Sequence, residues 1–166
     1  EDARDLIKTR VEQQLIGVDA VISMGRLRAI NVFMAGEVAV PGAYSVSALT
    51  TVTQALFQAG GVTDIGSLRN IQVRRAGSMV AAFDTYDLLM RGDVSDDIRL
   101  QSGDVVFVPP YTGVIDVEGE LKRPVVYELV GGETLGDVLT MAGSFTRDAY
   151  PSLSILTRQS DSLGLP

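Results

Sequence analysis

Two glutamates in this chain stand in the same local sequence, Gly36-Glu37 and Gly119-Glu120. Paired carboxylates can run acid/base hydrolysis when both lie within roughly 5–9.5 Å of one bond. Three more carboxylates, Asp93, Asp96 and Asp97, share one loop and are of a type that holds Ca²⁺. Arg69, Arg74 and Arg75 gather at the start of a hairpin. The guanidinium fork suits carboxylates and phosphates, so their candidate ligand is an anionic polysaccharide or an acidic neighbouring subunit. Gly61-x-x-x-x-Gly66-Ser67 has the outline of a phosphate loop, and Arg91-Gly92-Asp93 matches an adhesion tripeptide. Tyr44 and Tyr127 carry rings that can stack on sugars.

Each of these has a plainer reading. Glu37 and Glu120 fall in separate units, so a repeated structural role, accepting backbone hydrogen bonds near a turn, is favoured over catalysis. The acidic loop lacks EF-hand spacing and a distal glutamate, so solvation explains it. The glycine loop lacks lysine and follows a helix, where a phosphate loop follows a strand. Gly92 reads as a helix stop. Charge runs usually solvate a surface, which covers the arginines; Arg74 and Arg75 point to opposite faces of a regular strand. Strand positions make both tyrosines packing residues, in a core or between units.

The chain contains no histidine and no cysteine. That removes serine-histidine-aspartate and cysteine-histidine catalysis, disulfides, and the commonest transition-metal ligands. A net charge of −7 disfavours non-specific binding to nucleic acid or to an anionic membrane surface. We therefore expect no enzyme activity, no metal and no cofactor. The most apolar stretch, 30–46, is interrupted by Gly36, Glu37, Pro41 and Gly42 and cannot form a spanning helix.

What positions these residues is a repeat. Gly36, Glu37, Pro41, Tyr44, Thr51, Leu56, Ala59 and Gly60 recur as Gly119, Glu120, Pro124, Tyr127, Thr134, Leu139, Ala142 and Gly143, each 83 positions on, as 36 to 119. A constant offset marks one supersecondary unit used twice. Pro41-Gly42 predicts a type II turn with Gly42 at positive φ. Val125 replaces Gly42 in the second copy, and a β-branched residue avoids positive φ. Thr51 with Gln54, and Thr134 with Asp137, have capping-box spacing. Val52, Ala55, Leu56 and Ala59 make one apolar helix face, rebuilt by Leu135, Val138, Leu139 and Ala142. Gly60-Gly61 and Gly143 stop the helices.

Elsewhere, periodicity predicts a helix over 3–15, a strand from Val18 to Met24, a turn at 25–28, a strand from Ile30 to Glu37, and a hairpin over 70–83 turning at Ala76-Gly77-Ser78. A short helix from Tyr86 to Met90 and a buried strand from Val105 to Val108 complete the first unit. The fold class is α+β: tandem β-grasp-like units, each a small mixed sheet with one packed helix. The second unit starts at Val114, with Leu153 to Arg158 as its third strand.

At this point the chain resembles the soluble-ligand-binding β-grasp (SLBB) domain, through Val32 to Tyr44, Ala59-Gly60-Gly61, and Leu100 to Pro109 with Gly103-Asp104. In tandem these motifs resemble outer-membrane polysaccharide biosynthesis/export proteins. The resemblance divides the chain into 1–30, the tail of a preceding export domain; 31–110, a first unit; and 114–166, a second and incomplete one. It departs at Val125 and at Ser144, which stands for Gly61. It implies a periplasmic module at the outer membrane of a Gram-negative cell, within a capsular or exopolysaccharide channel. Its partners would be polysaccharide, neighbouring subunits of a homo-oligomer and an inner-membrane chain-length protein, with membrane contact only through segments absent from this sequence. The other readings are a stand-alone carbohydrate-binding module and, weakest, a carboxylate-dependent glycosidase.

Both ends read as cut, so the sequence is expected to be a fragment. Counting strands, the second unit lacks a closing strand. That predicts an open edge and an uncovered strip of Val138, Leu139, Ile155 and Leu156. The unit would then dock on the first unit and residues 1–30, or pair with another chain, with the residues after Arg158 the least ordered or crossing to a neighbour.

Overall fold

The computed structural model describes residues 3–14 and 28–157. It opens with helix α1, Ala3–Gln14. The strand expected at Val18 to Met24, most of the turn at 25–28, and Arg158 onward lie outside the described residues.

The first unit follows from its local signals. Strand β1, Ala29–Gly36, alternates exposed and buried positions, and β2, Gly42–Ser47, pairs with it antiparallel. Helix α2, Val52–Gln58, starts in a complete capping box: Thr51 Oγ1 accepts from Gln54 N and the Gln54 side chain accepts from Thr51 N. Strands β3, Ile71–Arg75, and β4, Ser78–Phe83, form the hairpin across a two-residue turn, Ala76-Gly77. The expected helix from Tyr86 to Met90 is formed: it starts as α-helix at Thr85 and Tyr86 and continues as a wider π-helix, Asp87–Arg91, which ends at Gly92 in the left-handed conformation. Strand β5, Val105–Val108, runs back through the middle of the sheet.

The resulting order is β2-β1-β5-β3-β4, with β5 parallel to β1 and antiparallel to β3. The sheet face over α2 is the core: Val32, Val52, Ile71, Val73, Val106 and Val108 are each fully buried. Burying a side chain of this size contributes about 1.5–3 kcal/mol. The close approach of β1 and β5 needs Gly36, where φ is 80° and an added Cβ would stand 2.1 Å from the Val108 carbonyl oxygen.

The turn at Pro41-Gly42 differs from expectation. Gly42 takes the expected positive φ, but at 151° it is far from the ~80° of a type II corner and already belongs to β2. The connection before it is held to the end of α2 by Val38 pairing with Val62 and by Val40 N donating to Ala59 O at 3.0 Å. Val125 is not at positive φ, as its branched side chain requires.

The second unit contains β6, Gly113–Asp116, paired antiparallel with β7, Val126–Leu129, and α3, Leu135–Met141, with Thr134 and Asp137 closing a second capping box. The expected third strand from Leu153 is not formed. Pro151–Leu153 is a single 3₁₀ turn, and 154–157 has no regular structure. The first unit supplies the reason: β3 never touches β1 but joins the sheet through β5. Without a β5 equivalent among the described residues, a third strand lacks the neighbour that β3 pairs with in the first unit.

The uncovered strip is also redrawn. Val138 is buried and Leu139 half-buried, whereas Leu135, Ile155 and Leu156 are exposed. Val138 is covered although the sheet above it is incomplete. The second unit docks on the first, and its core, Tyr127 and Ala142, includes Tyr86, Leu68 and Met90 of the first unit.

Candidate functional site

The joint between the units holds a buried network of hydrogen bonds and ion pairs. It starts from Ser67, which ends the loop after α2 and is fully buried. Its hydroxyl accepts from Asn70 N at 2.9 Å and Arg69 N at 3.2 Å, which folds the lead-in to β3. That turn leaves N–H groups pointing toward the second unit. Glu128, on β7, fills the position: its carboxylate accepts from Ser67 Oγ at 2.5 Å, Leu68 N at 2.7 Å and Arg69 N at 3.2 Å. Its own N–H donates to Tyr86 Oη at 2.9 Å. A buried carboxylate with several donors is stable where a bare one is not.

Arg69 completes the joint. Nε donates to Asp84 at 3.1 Å, and Nη1 to Glu133 at 2.6 Å and to the Glu128 carbonyl at 3.2 Å. Its guanidinium carbon lies 5.0 Å from the centre of the Tyr86 ring, which meets Tyr127 edge-on at 6.4 Å. The Glu133 carboxyl is held below its usual range, chiefly by the Val130 N–H, against burial and with help from Arg69. Burial pushes the Tyr86 phenol up.

The three arginines are thus brought to three different places. Arg69 faces the joint. Arg75 reaches Asp104 with both oxygens engaged, Nε to Oδ1 and Nη2 to Oδ2, each at 2.8 Å. Arg74 is exposed, bonded to Gln72 and lying 5.5 Å over the Phe107 ring. Asp104 is the acid of the Gly103-Asp104 motif, and it also accepts from Gln101 N at 2.8 Å. Burial acts to raise its pKa, but Arg75 and that N–H outweigh burial and hold the carboxyl below the usual aspartate range.

The paired glutamates do the same job in separate units. Glu37 Oε2 accepts from Thr63 Oγ1 at 3.0 Å, and Glu120 Oε2 from Thr146 Oγ1 at 2.7 Å. The partners are hydroxyls, not the backbone donors expected, and Thr63 and Thr146 share the offset of the repeat. Tyr44 and Tyr127 likewise repeat a bond, each Oη donating at 2.7 Å to the carbonyl four residues back, Val40 and Arg123. Gly66 of the phosphate-loop outline approaches backbone closely: a Cβ there would lie 2.7 Å from Glu37 O. In the acidic loop Asp97 accepts from Thr53 N at 2.9 Å and Asp93 from Ser95 N at 2.9 Å. Among the described residues no group of three potential ligands could hold a metal ion, and no helix is long and apolar enough to cross a membrane.

Sequence reasoning missed Ser67, Glu128, Tyr86 and Glu133. One signal was available: Glu128 stands where the first copy has Ser45, an exposed strand residue. A charged residue breaking a repeat at that place asks for a partner.

The second feature is a cleft of about 450 Å³ beside β6 and α3. Leu135, Leu139, Phe145 and Tyr150 contribute apolar walls, and Asp116, Glu118 and Glu120 also line it. The protein-family model described as SLBB domain matches residues 31–84 and 114–164.

Proposed function

The chain belongs to the SLBB domain family, and from that membership we propose that it serves as a non-catalytic binding and interaction module in an outer-membrane polysaccharide export channel. The observation that carries this reading is the joint. Two units of a ligand-binding family are tied into one body by Glu128 and Arg69. A wall built from stacked subunits needs that fixed relation between units, because a hinged pair would not hold register. Polysaccharide, neighbouring subunits and an inner-membrane chain-length protein are the partners proposed, on the periplasmic side of the outer membrane.

The reading is tested in the parent cell. Deleting residues 31–157 in the chromosomal gene is expected to abolish surface polysaccharide while its precursor accumulates inside. Replacing Glu128 and Arg69 together by alanine should lower surface polymer at least tenfold with the protein still present at the outer membrane. Unchanged surface polysaccharide in the deletion strain would overturn the proposal.

A further inference from the structure

Of the three arginines that begin the hairpin, two meet carboxylates: Arg69 meets Asp84 and Glu133, and Arg75 meets Asp104. Arg74 is exposed and has no carboxylate partner among the described residues. A neutral amide holds it instead, with Nε and Nη2 both donating to Gln72 Oε1, at 3.3 and 3.0 Å. Its guanidinium carbon lies 5.5 Å from the centre of the Phe107 ring, within range of a cation–π contact. Nε and one N–H of Nη2 are thus engaged, and the remaining donors are not. The free ones, on Nη1 and the side of Nη2 facing it, form the end of the fork that matches both oxygens of a carboxylate. Arg74 is positioned without being neutralised.

Arg74 stands on the face of the first sheet that is turned away from α2. Register places Phe33 and Arg74 on either side of Val105, and Ala35 and Gln72 on either side of Phe107. Two residues along β1 from Phe33 stands Asn31, paired with Ser45 of β2. Phe33 is 48% exposed, an aromatic ring left in water. No strand residue of this face is acidic, and Arg74 is its one cation, in a chain of net charge −7. All five strands of the sheet are present, and β1, β5 and β3 are each paired on both sides. A ligand lying across them meets side chains and not free backbone groups.

We propose that this face binds an acidic polysaccharide. A uronate carboxylate takes the free end of the Arg74 fork, and the C–H face of a neighbouring sugar ring lies on Phe33. A pyranose presents C–H bonds on one face and hydroxyls around its rim. An exposed aromatic ring covers the first, and the amide of Asn31 and the hydroxyl of Ser45 can bond the second. One planar fork matches one planar carboxylate, and no second lysine or arginine on this face meets the further charge of a phosphate. A face without carboxylates does not repel such a polymer, although the chain as a whole is acidic. The inference rests on the export reading for bringing a polysaccharide to this chain; it adds the charge of the polymer and the residues that read it.

The test titrates hexagalacturonate into the isotopically labelled chain, followed by NMR. Shifts are expected at the amides of Phe33, Arg74 and Val105 and at the Arg74 Nε–H. Maltohexaose, of the same length and uncharged, should bind at least tenfold more weakly. Arg74→Gln should weaken hexagalacturonate binding at least tenfold, and Arg74→Lys, which keeps the charge without the fork, at least threefold. Phe33→Ala should weaken it at least threefold. Both positions are exposed, and an unchanged thermal midpoint in each variant shows that the fold is intact. The proposal is overturned by absent shifts at millimolar hexagalacturonate, by shifts confined to another surface, or by equal affinity for maltohexaose. It is equally overturned if a hexaglutamate peptide or inorganic phosphate binds this face as tightly, since the site then reads any anion or an acidic protein. The export reading is tested separately by the deletion strain, so each can fail alone: surface polymer lost on deletion with no binding here sinks only this inference.

Discussion

Glycines at equivalent positions of the two units face different surroundings, and this separates two costs that usually come together. Gly36 has both a left-handed φ and a carbonyl 2.1 Å from where a Cβ would sit. Gly119 has the same φ and open space. Gly36→Ala should therefore destabilise by more than about 3 kcal/mol, forcing β1 and β5 apart. Gly119→Ala should cost only the conformational strain, about 1–2 kcal/mol. Denaturant melts of the two variants compare them directly; equal losses would show that β5 does not limit Gly36. Ser144 makes the converse case. It takes φ of 69° after α3, where Gly61 takes 89° after α2. A side chain is strained there, so Ser144→Gly should raise stability by about 0.5–1 kcal/mol, read as a higher midpoint in urea.

Within the first unit, one ion pair ties β3 to the turn that launches β5. Asp104 is fully buried and bound by Arg75 through two bonds. Its carboxyl lies below the usual range in the folded chain: burial acts to raise it, and the Arg75 and Gln101 donors outweigh burial. A depressed carboxyl stabilises the fold fully above its unfolded value, about 3.9. The contribution is lost as pH falls from there through the lower folded value. Thermal midpoints should therefore drop on acidification below about pH 4. The drop should be smaller in an Asp104→Asn variant, which is less stable at neutral pH but has no such group to titrate. Identical acid profiles of the two proteins would refute this. The Ala76-Gly77 turn gives an element-level check of another kind. Both residues have positive φ, 49° and 84°, as a primed hairpin turn requires. Asparagine tolerates the first position better than alanine, so Ala76→Asn should add roughly 0.5–1 kcal/mol.

At the scale of the molecule the joint decides whether the two units behave as one. The Glu128 carboxylate bonds three groups of the first unit, and the second core borrows Tyr86, Leu68 and Met90. A unit with a two-stranded sheet cannot bury enough apolar surface alone. Glu128→Ala leaves the buried Ser67 hydroxyl proton and the Leu68 N–H without their acceptor, which should cost about 2–4 kcal/mol. Calorimetry is expected to show one transition for the unaltered chain and two for the variant, the second unit melting first. A single transition in both would mean that the units do not depend on this contact. The SLBB matches, over 31–84 and 114–164, fall on both halves of the joint.

Much of the architecture was legible because it is set locally. The 83-residue offset, the two capping boxes, the hairpin and the strand order of elements rest on spacings that the chain carries itself. The resemblance carried by the Gly36-to-Tyr44 and Gly103-Asp104 motifs pointed to the family for the same reason. What tertiary structure alone decided was where side chains from distant elements meet. Arg69, Arg74 and Arg75 are neighbours in sequence, yet one enters the joint, one stacks on Phe107 and one binds Asp104. Glu128 has no local partner, and only docking of the units brings Ser67 to it. The third strand failed likewise: Leu153 onward has strand-like composition, but a strand needs an edge, and the edge it required belongs to a strand that the described second unit does not contain. Spacing along the chain determines periodic structure because the bonds are local. Pairing between elements depends on which surfaces are present to be paired, and that is a property of the folded whole.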